Sequence, residues 1–84
     1  MRLIKIGYTE KKENEIIYFE QLVNFEHTII ELNDKYLYFR VFNTVTKYEY
    51  ATNLDAKKAY QKLLIKLHDF KEGQTIAIRK EDIE

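Results

Sequence analysis

Hydrophobic and polar positions change their period along this 84-residue chain, from strand to helix and briefly back. Up to about residue 50 the apolar side chains alternate or cluster in short β-branched and aromatic runs, which is the pattern of strands. Residues 2–8 alternate, with Ile4, Ile6 and Tyr8 on one face, and predict a first strand. The polar stretch from Thr9 to Glu15 reads as a loop. Residues 16–23 (Ile-Ile-Tyr-Phe-Glu-Gln-Leu-Val) predict a second strand and 25–32 a third. Residues 35–42 (Lys-Tyr-Leu-Tyr-Phe-Arg-Val-Phe) are the strongest strand of the chain, and 45–50 a fifth.

Past residue 52 the period becomes helical. Ala56, Tyr60, Leu63, Leu67 and Phe70 form one stripe, flanked by Ala59 and Leu64, with Lys58, Lys62 and Lys66 on the solvent side. Thr52, with Asp55 three residues later, has the capping-box spacing of a helix start. His68 and Lys71 suit the negative end of the helix dipole, and Gly73 is expected to stop the helix. Gln74 to Arg79 predict a last strand, and Lys80 to Glu84 a frayed tail. The order implies a single α+β domain over residues 1–84: a mostly antiparallel meander of about five strands, one C-terminal amphipathic helix packed on the sheet, and a short final strand.

Composition sharpens the turns. Pro is absent and Gly occurs only at 7 and 73, so turn-making falls to Asn, which tolerates left-handed φ. The five Asn residues, at 14, 24, 33, 43 and 53, all lie near element boundaries. If Asn33-Asp34 and Asn43-Thr44 are two-residue turns, the register of three strands follows. One face then holds Thr28, Ile30, Leu37, Phe39, Val41, Tyr48 and Tyr50, the seat for the helix. The other holds Phe25, His27, Ile29, Tyr36, Tyr38, Arg40, Phe42, Val45 and Lys47. In this register His27, Arg40 and Lys47 share a row, with Phe25, Phe42 and Val45 beside it and Ile29, Tyr38 and Glu49 on the other side.

A sheet simply solvated on one side would be polar there. Three readings of the aromatic and basic residues Phe25, His27, Tyr36, Tyr38, Arg40, Phe42 and Lys47 stand side by side. They form a second core layer under the N-terminal strands. Or they form an interface to a protein partner or to a second copy of the chain, as exposed apolar patches do. Or they stack bases and neutralise phosphates of a single-stranded nucleic acid. A one-residue slip would exchange the two faces.

Charge weighs against a dedicated nucleic-acid binder: 14 basic side chains balance 14 acidic ones, for a net charge of zero. The balance hides a dipole. Residues 9–34 hold two basic and seven acidic side chains, and residues 35–71 hold eight basic and three acidic. The lysines at 57, 58, 62, 66 and 71 read as a solvated helix face that would also attract a phosphate backbone or an acidic protein. Ile65 lies among them as a small candidate contact.

The chemistry that composition leaves is narrow. Ser and Cys are absent, which removes the familiar nucleophiles, disulfides and thiolate metal sites. His27 and His68 have no metal-ligand spacing, no glycine-rich phosphate loop occurs, and the acids at 10, 13 and 15 sit in a polar stretch. No catalytic residue, metal or cofactor is therefore expected. No apolar run approaches the roughly 20 residues of a membrane span, and the N-terminus has no signal-peptide pattern, so the expected setting is the cytoplasm, without membrane contact. Lys, Ile, Asn, Tyr and Phe make up 38 of 84 residues; all have AT-rich codons, as in a low-GC bacterium or its phage. The strands-then-helix order is similar to that of small coactivator-type single-stranded-DNA binders, from which the extra strands and the zero net charge depart. The expectation is a non-enzymatic protein-interaction module, a phage or mobile-element accessory protein, with single-stranded nucleic-acid binding as the alternative.

Overall fold

Six strands and one helix build the α+β fold that the periodicities predict. The computed structural model describes all 84 residues. Its elements are β1 (Leu3–Lys12), β2 (Glu15–Asn24), β3 (Thr28–Asn33), β4 (Tyr36–Val41), β5 (Thr44–Glu49), α1 (Asn53–His68) and β6 (Thr75–Ile78). The strands do not form one meander. They divide into two three-stranded sheets, ordered β2-β1-β6 and β3-β4-β5, with β6 parallel to β1 and every other pair antiparallel.

The division lies at Phe25–His27, a 3-10 turn where the sequence predicts the start of a strand. Local polar chemistry makes it. The Asn24 side chain accepts from the Glu26 amide (3.0 Å), the Thr28 hydroxyl donates to the Asn24 carbonyl (2.8 Å), and the Phe25 amide donates to the Arg2 carbonyl (2.9 Å). These bonds carry the chain from one sheet to the other.

The core lies between the sheets and the helix. Ile4, Ile6, Val23 and Ile78 come from the first sheet, Leu37, Phe39 and Tyr48 from the second, and Ala56, Ala59 and Leu63 from α1. Thr52 caps α1 as its spacing predicts, its hydroxyl accepting from the Asp55 amide at 3.1 Å. The helix ends at His68, short of Gly73. Phe70 has already left it and is buried against Phe25, ring centroids 5.3 Å apart. Gly73, at φ 85°, serves the turn into β6 instead.

Two further expectations change. Thr9 to Glu15 is no loop, because β1 and β2 run on to a two-residue turn at Glu13-Asn14 closed by Lys12 and Glu15. That part of the hairpin is exposed, so polar residues line it as they would a loop. Residues 80–84 are not a frayed tail either. Lys80–Ile83 form a 3-10 turn, Arg79 bonds the Asp82 carboxylate through its amide and guanidinium, and Ile83 is 0% exposed. No helix is long and apolar enough to cross a membrane.

Candidate functional site

Both hairpins of the β3-β4-β5 sheet turn one residue away from the positions that the asparagines suggest. The loops are Asp34-Lys35, closed by Asn33 and Tyr36, and Phe42-Asn43, closed by Val41 and Thr44. Each strand pairing therefore moves by two positions. A two-residue shift keeps every side chain on its face, because the side-chain period is two. Leu37, Phe39 and Tyr48 face the core as expected.

The rows of the outer face are recomposed. Ile29, Arg40 and Val45 lie across from one another, then Glu31, Tyr38 and Lys47, then Asn33, Tyr36 and Glu49. His27 lies before β3, and no row joins it to Arg40 and Lys47. Its ring packs beside Phe42 at the hairpin tip instead, centroids 5.4 Å apart. Phe25 leaves the group altogether. It packs at the fringe of the core, with the Arg2 guanidinium 4.6 Å from its ring centre and Phe70 beside it.

The face is open to solvent and is not a second core layer. Ile29, Arg40, Phe42, Val45 and Lys47 are exposed, and Tyr36 and Tyr38 are half-buried. The two tyrosine rings lie 6.0 Å apart. The Lys47 ammonium sits 4.8 Å from the centre of the Tyr36 ring, in cation–π range, and pairs with no carboxylate. The other cations are engaged: Arg40 lies 3.5 Å from Glu31, and Lys35 lies 3.2 Å from Glu49, whose carboxylate holds the Lys35 ammonium above its ordinary pKa. The charge around the aromatics is thus close to balanced. No three His, Asp or Glu side chains converge as a metal would require.

Phe42 is the residue whose conformation sequence reasoning missed. Three residues without a glycine's freedom take positive φ, and each is the first residue of a two-residue hairpin loop: Glu13 (53°), Asp34 (55°) and Phe42 (52°). None is an Asn. Hairpin loops need positive φ at that position to match strand twist. Asp tolerates it; a bulky aromatic there is a genuine outlier. Phe42 is also 78% exposed, the most exposed of the large hydrophobic residues. Ile65, on α1, is 75% exposed and lies on a different element. Comparison of the chain with models of known families, with curated proteins and with solved structures gives no match.

Proposed function

We propose that the chain is a non-enzymatic interaction module, of the kind that phages and mobile elements use as accessory proteins in the cytoplasm. It docks a protein partner on the outer face of β3-β4-β5, with Phe42, Tyr36 and Tyr38 as the apolar centre and Arg40, Lys47 and Glu31 at the rim. The observation that carries this reading is Phe42. Folding gains little from a phenyl ring that is 78% exposed, and the left-handed backbone beneath it costs about 1–2 kcal/mol. Glu13 holds the same strain beneath a solvated carboxylate; at Phe42 it lies beneath an exposed apolar ring, and that combination points to a use outside the folded chain. Aromatic anchors with a charged rim are the usual energetic centre of protein interfaces. The engagement of Arg40 and Lys35 by acids favours a protein partner over a phosphate backbone, which needs free cations.

The test is affinity capture from an AT-rich bacterial lysate, with and without nuclease, using wild type, Tyr38→Ala, Arg40→Ala and Phe42→Ala, with Ile65→Ala as the surface control. The expected result is a protein retained after nuclease treatment, lost with the three face variants and kept by the control. Capture by the three face variants at the wild-type level would sink the proposal. A species that disappears with nuclease would replace the protein partner by nucleic acid.

A further inference from the structure

The outer strand of the other sheet is unusual for an edge. β2 runs for ten residues at the margin of the β2-β1-β6 sheet. None of the backbone hydrogen bonds made outside helices and strands involves residues 15–24. Edge strands are normally blunted by lysines, prolines or bulges. Here the blunting residues sit one strand inward: β1 carries Lys5, Lys11 and Lys12, whereas β2 carries no Lys, Arg or Pro and six apolar residues in ten.

Hydrogen-bond parity fixes what this edge can accept. In the tight turn Glu13-Asn14 the amide of Glu15 faces the carbonyl of Lys12, so Glu15 and every second residue after it direct their backbone to β1. Ile16, Tyr18, Glu20 and Leu22 direct theirs outward, and their side chains, like that of Glu15 at the strand's start, are exposed. A second β2 running antiparallel must match these even-numbered residues to one another. Placing Glu20 opposite its own copy opposes two carboxylates. Moving the axis by one residue, to Phe19, removes that conflict. Tyr18 then faces Glu20 of the second copy, Ile16 faces Leu22, and Glu15 faces Val23.

We infer that two copies of this chain pair through β2, antiparallel about a two-fold axis at Phe19, to form a continuous six-stranded sheet. The surface lies on different strands from the face proposed above. The Tyr18–Glu20 and Ile16–Leu22 pairs are complementary in this register, and Glu15 meets Val23 only at the ends of the seam. Tyr18 already donates to Glu20 of its own strand at 3.3 Å, and the same two groups meet across the axis. The Ile16–Leu22 pairs are flanked by Lys11 and Lys5, their neighbours on β1. On the opposite surface Tyr8 stacks on Phe19 with centroids 5.4 Å apart and planes 17° apart, so the axis joins four rings in one row. All four outward-facing residues of each copy find backbone partners.

Sedimentation equilibrium of the wild-type chain is expected to give twice the 10.2 kDa monomer mass. Ile16→Lys, which gathers three lysines around Leu22 of the second copy, is expected to be monomeric. The chain has no cysteine, so cross-linking reads the register directly. Residues facing each other in a non-hydrogen-bonded pair have Cα atoms about 4.5 Å apart, within disulfide reach. Phe19→Cys should therefore oxidise to a covalent dimer much faster than Phe42→Cys. Because Phe19→Cys also removes a packed ring, the double variant Ile17→Cys/Gln21→Cys is a second reading: it should cross-link, and neither single variant should. A wild-type chain that stays monomeric at the highest concentration reached, equal cross-linking of Phe19→Cys and Phe42→Cys, or cross-linking of either single variant would overturn the inference.

Discussion

The Tyr48 hydroxyl, on β5 of one sheet, donates to the Gly7 carbonyl, on β1 of the other. The Ile78 carbonyl on β6 lies 3.3 Å from the same oxygen, so this one group faces two strands of the opposite sheet. Two residues further along, the Tyr50 hydroxyl is buried with no partner at all. The same substitution should therefore have opposite outcomes at the two sites. Tyr48→Phe leaves a buried carbonyl unsatisfied and is expected to cost about 1–3 kcal/mol. Tyr50→Phe removes an unpaired hydroxyl and is expected to be neutral or stabilising. Thermal unfolding of the two variants checks this, and equal losses would contradict it.

The same tyrosines set an alkaline limit. Burial is the main cause that raises both above the ordinary value of 10.0, with Tyr50 at about 12 and Tyr48 higher still. A raised acid contributes stability that is fully present below its unfolded pKa and is lost as pH rises toward the folded one. Urea midpoints are thus expected to be level below about pH 9 and to fall from about pH 10 upward. The Tyr48→Phe variant should show a shallower fall over that range. An unchanged slope would argue that burial of this hydroxyl does not govern alkaline stability.

Ile83 belongs to the core at 0% exposure. Ile83→Ala is expected to cost about 2–5 kcal/mol, as buried Ile truncations do. A thermal midpoint within a degree or two of wild type would mean that the 3-10 turn at 80–83 does not dock.

Salt separates the two classes of partner for the outer face. Capture of a protein through a balanced rim should weaken only modestly between low and physiological salt, because rim charges act mainly on association rate. A nucleic acid held by several phosphate contacts would lose about 1,000-fold or more over 50–200 mM salt. Capture measured across that range, in the absence of nuclease, decides the matter.

The sequence made the element order legible because strand and helix periods are local. It placed Leu37, Phe39 and Tyr48 on the inner face and Tyr36, Tyr38, Arg40 and Lys47 on the outer one, even though its turns were each one residue out. Each such error moved its pairing by two positions, which leaves faces intact and changes only rows. What stayed hidden was non-local or conformational. The split into two sheets depends on the Asn24, Thr28 and Arg2 bonds that turn Phe25 into the core. Positive φ at Glu13 and Phe42 has no signature in their residue types. At both sites an Asn follows immediately, so the asparagines did mark the loops, one position late.

Phe42 offers the most direct measurement. Phe42→Gly relieves a left-handed backbone at φ 52° and removes an exposed ring. A fold with no outside use for that ring should lose nothing by the change. Relief of about 1–2 kcal/mol of left-handed strain, less about 0.5–1 kcal/mol of glycine's entropic cost, gives an expected gain of about 0.5–1 kcal/mol and a thermal midpoint roughly 3–6 °C higher, together with loss of protein capture. Glu13→Gly, which relieves the same strain at another hairpin, should raise stability and leave capture intact. A Phe42→Gly protein that is more stable and still captures the partner at wild-type level would contradict the assignment of the β3-β4-β5 face as the binding surface.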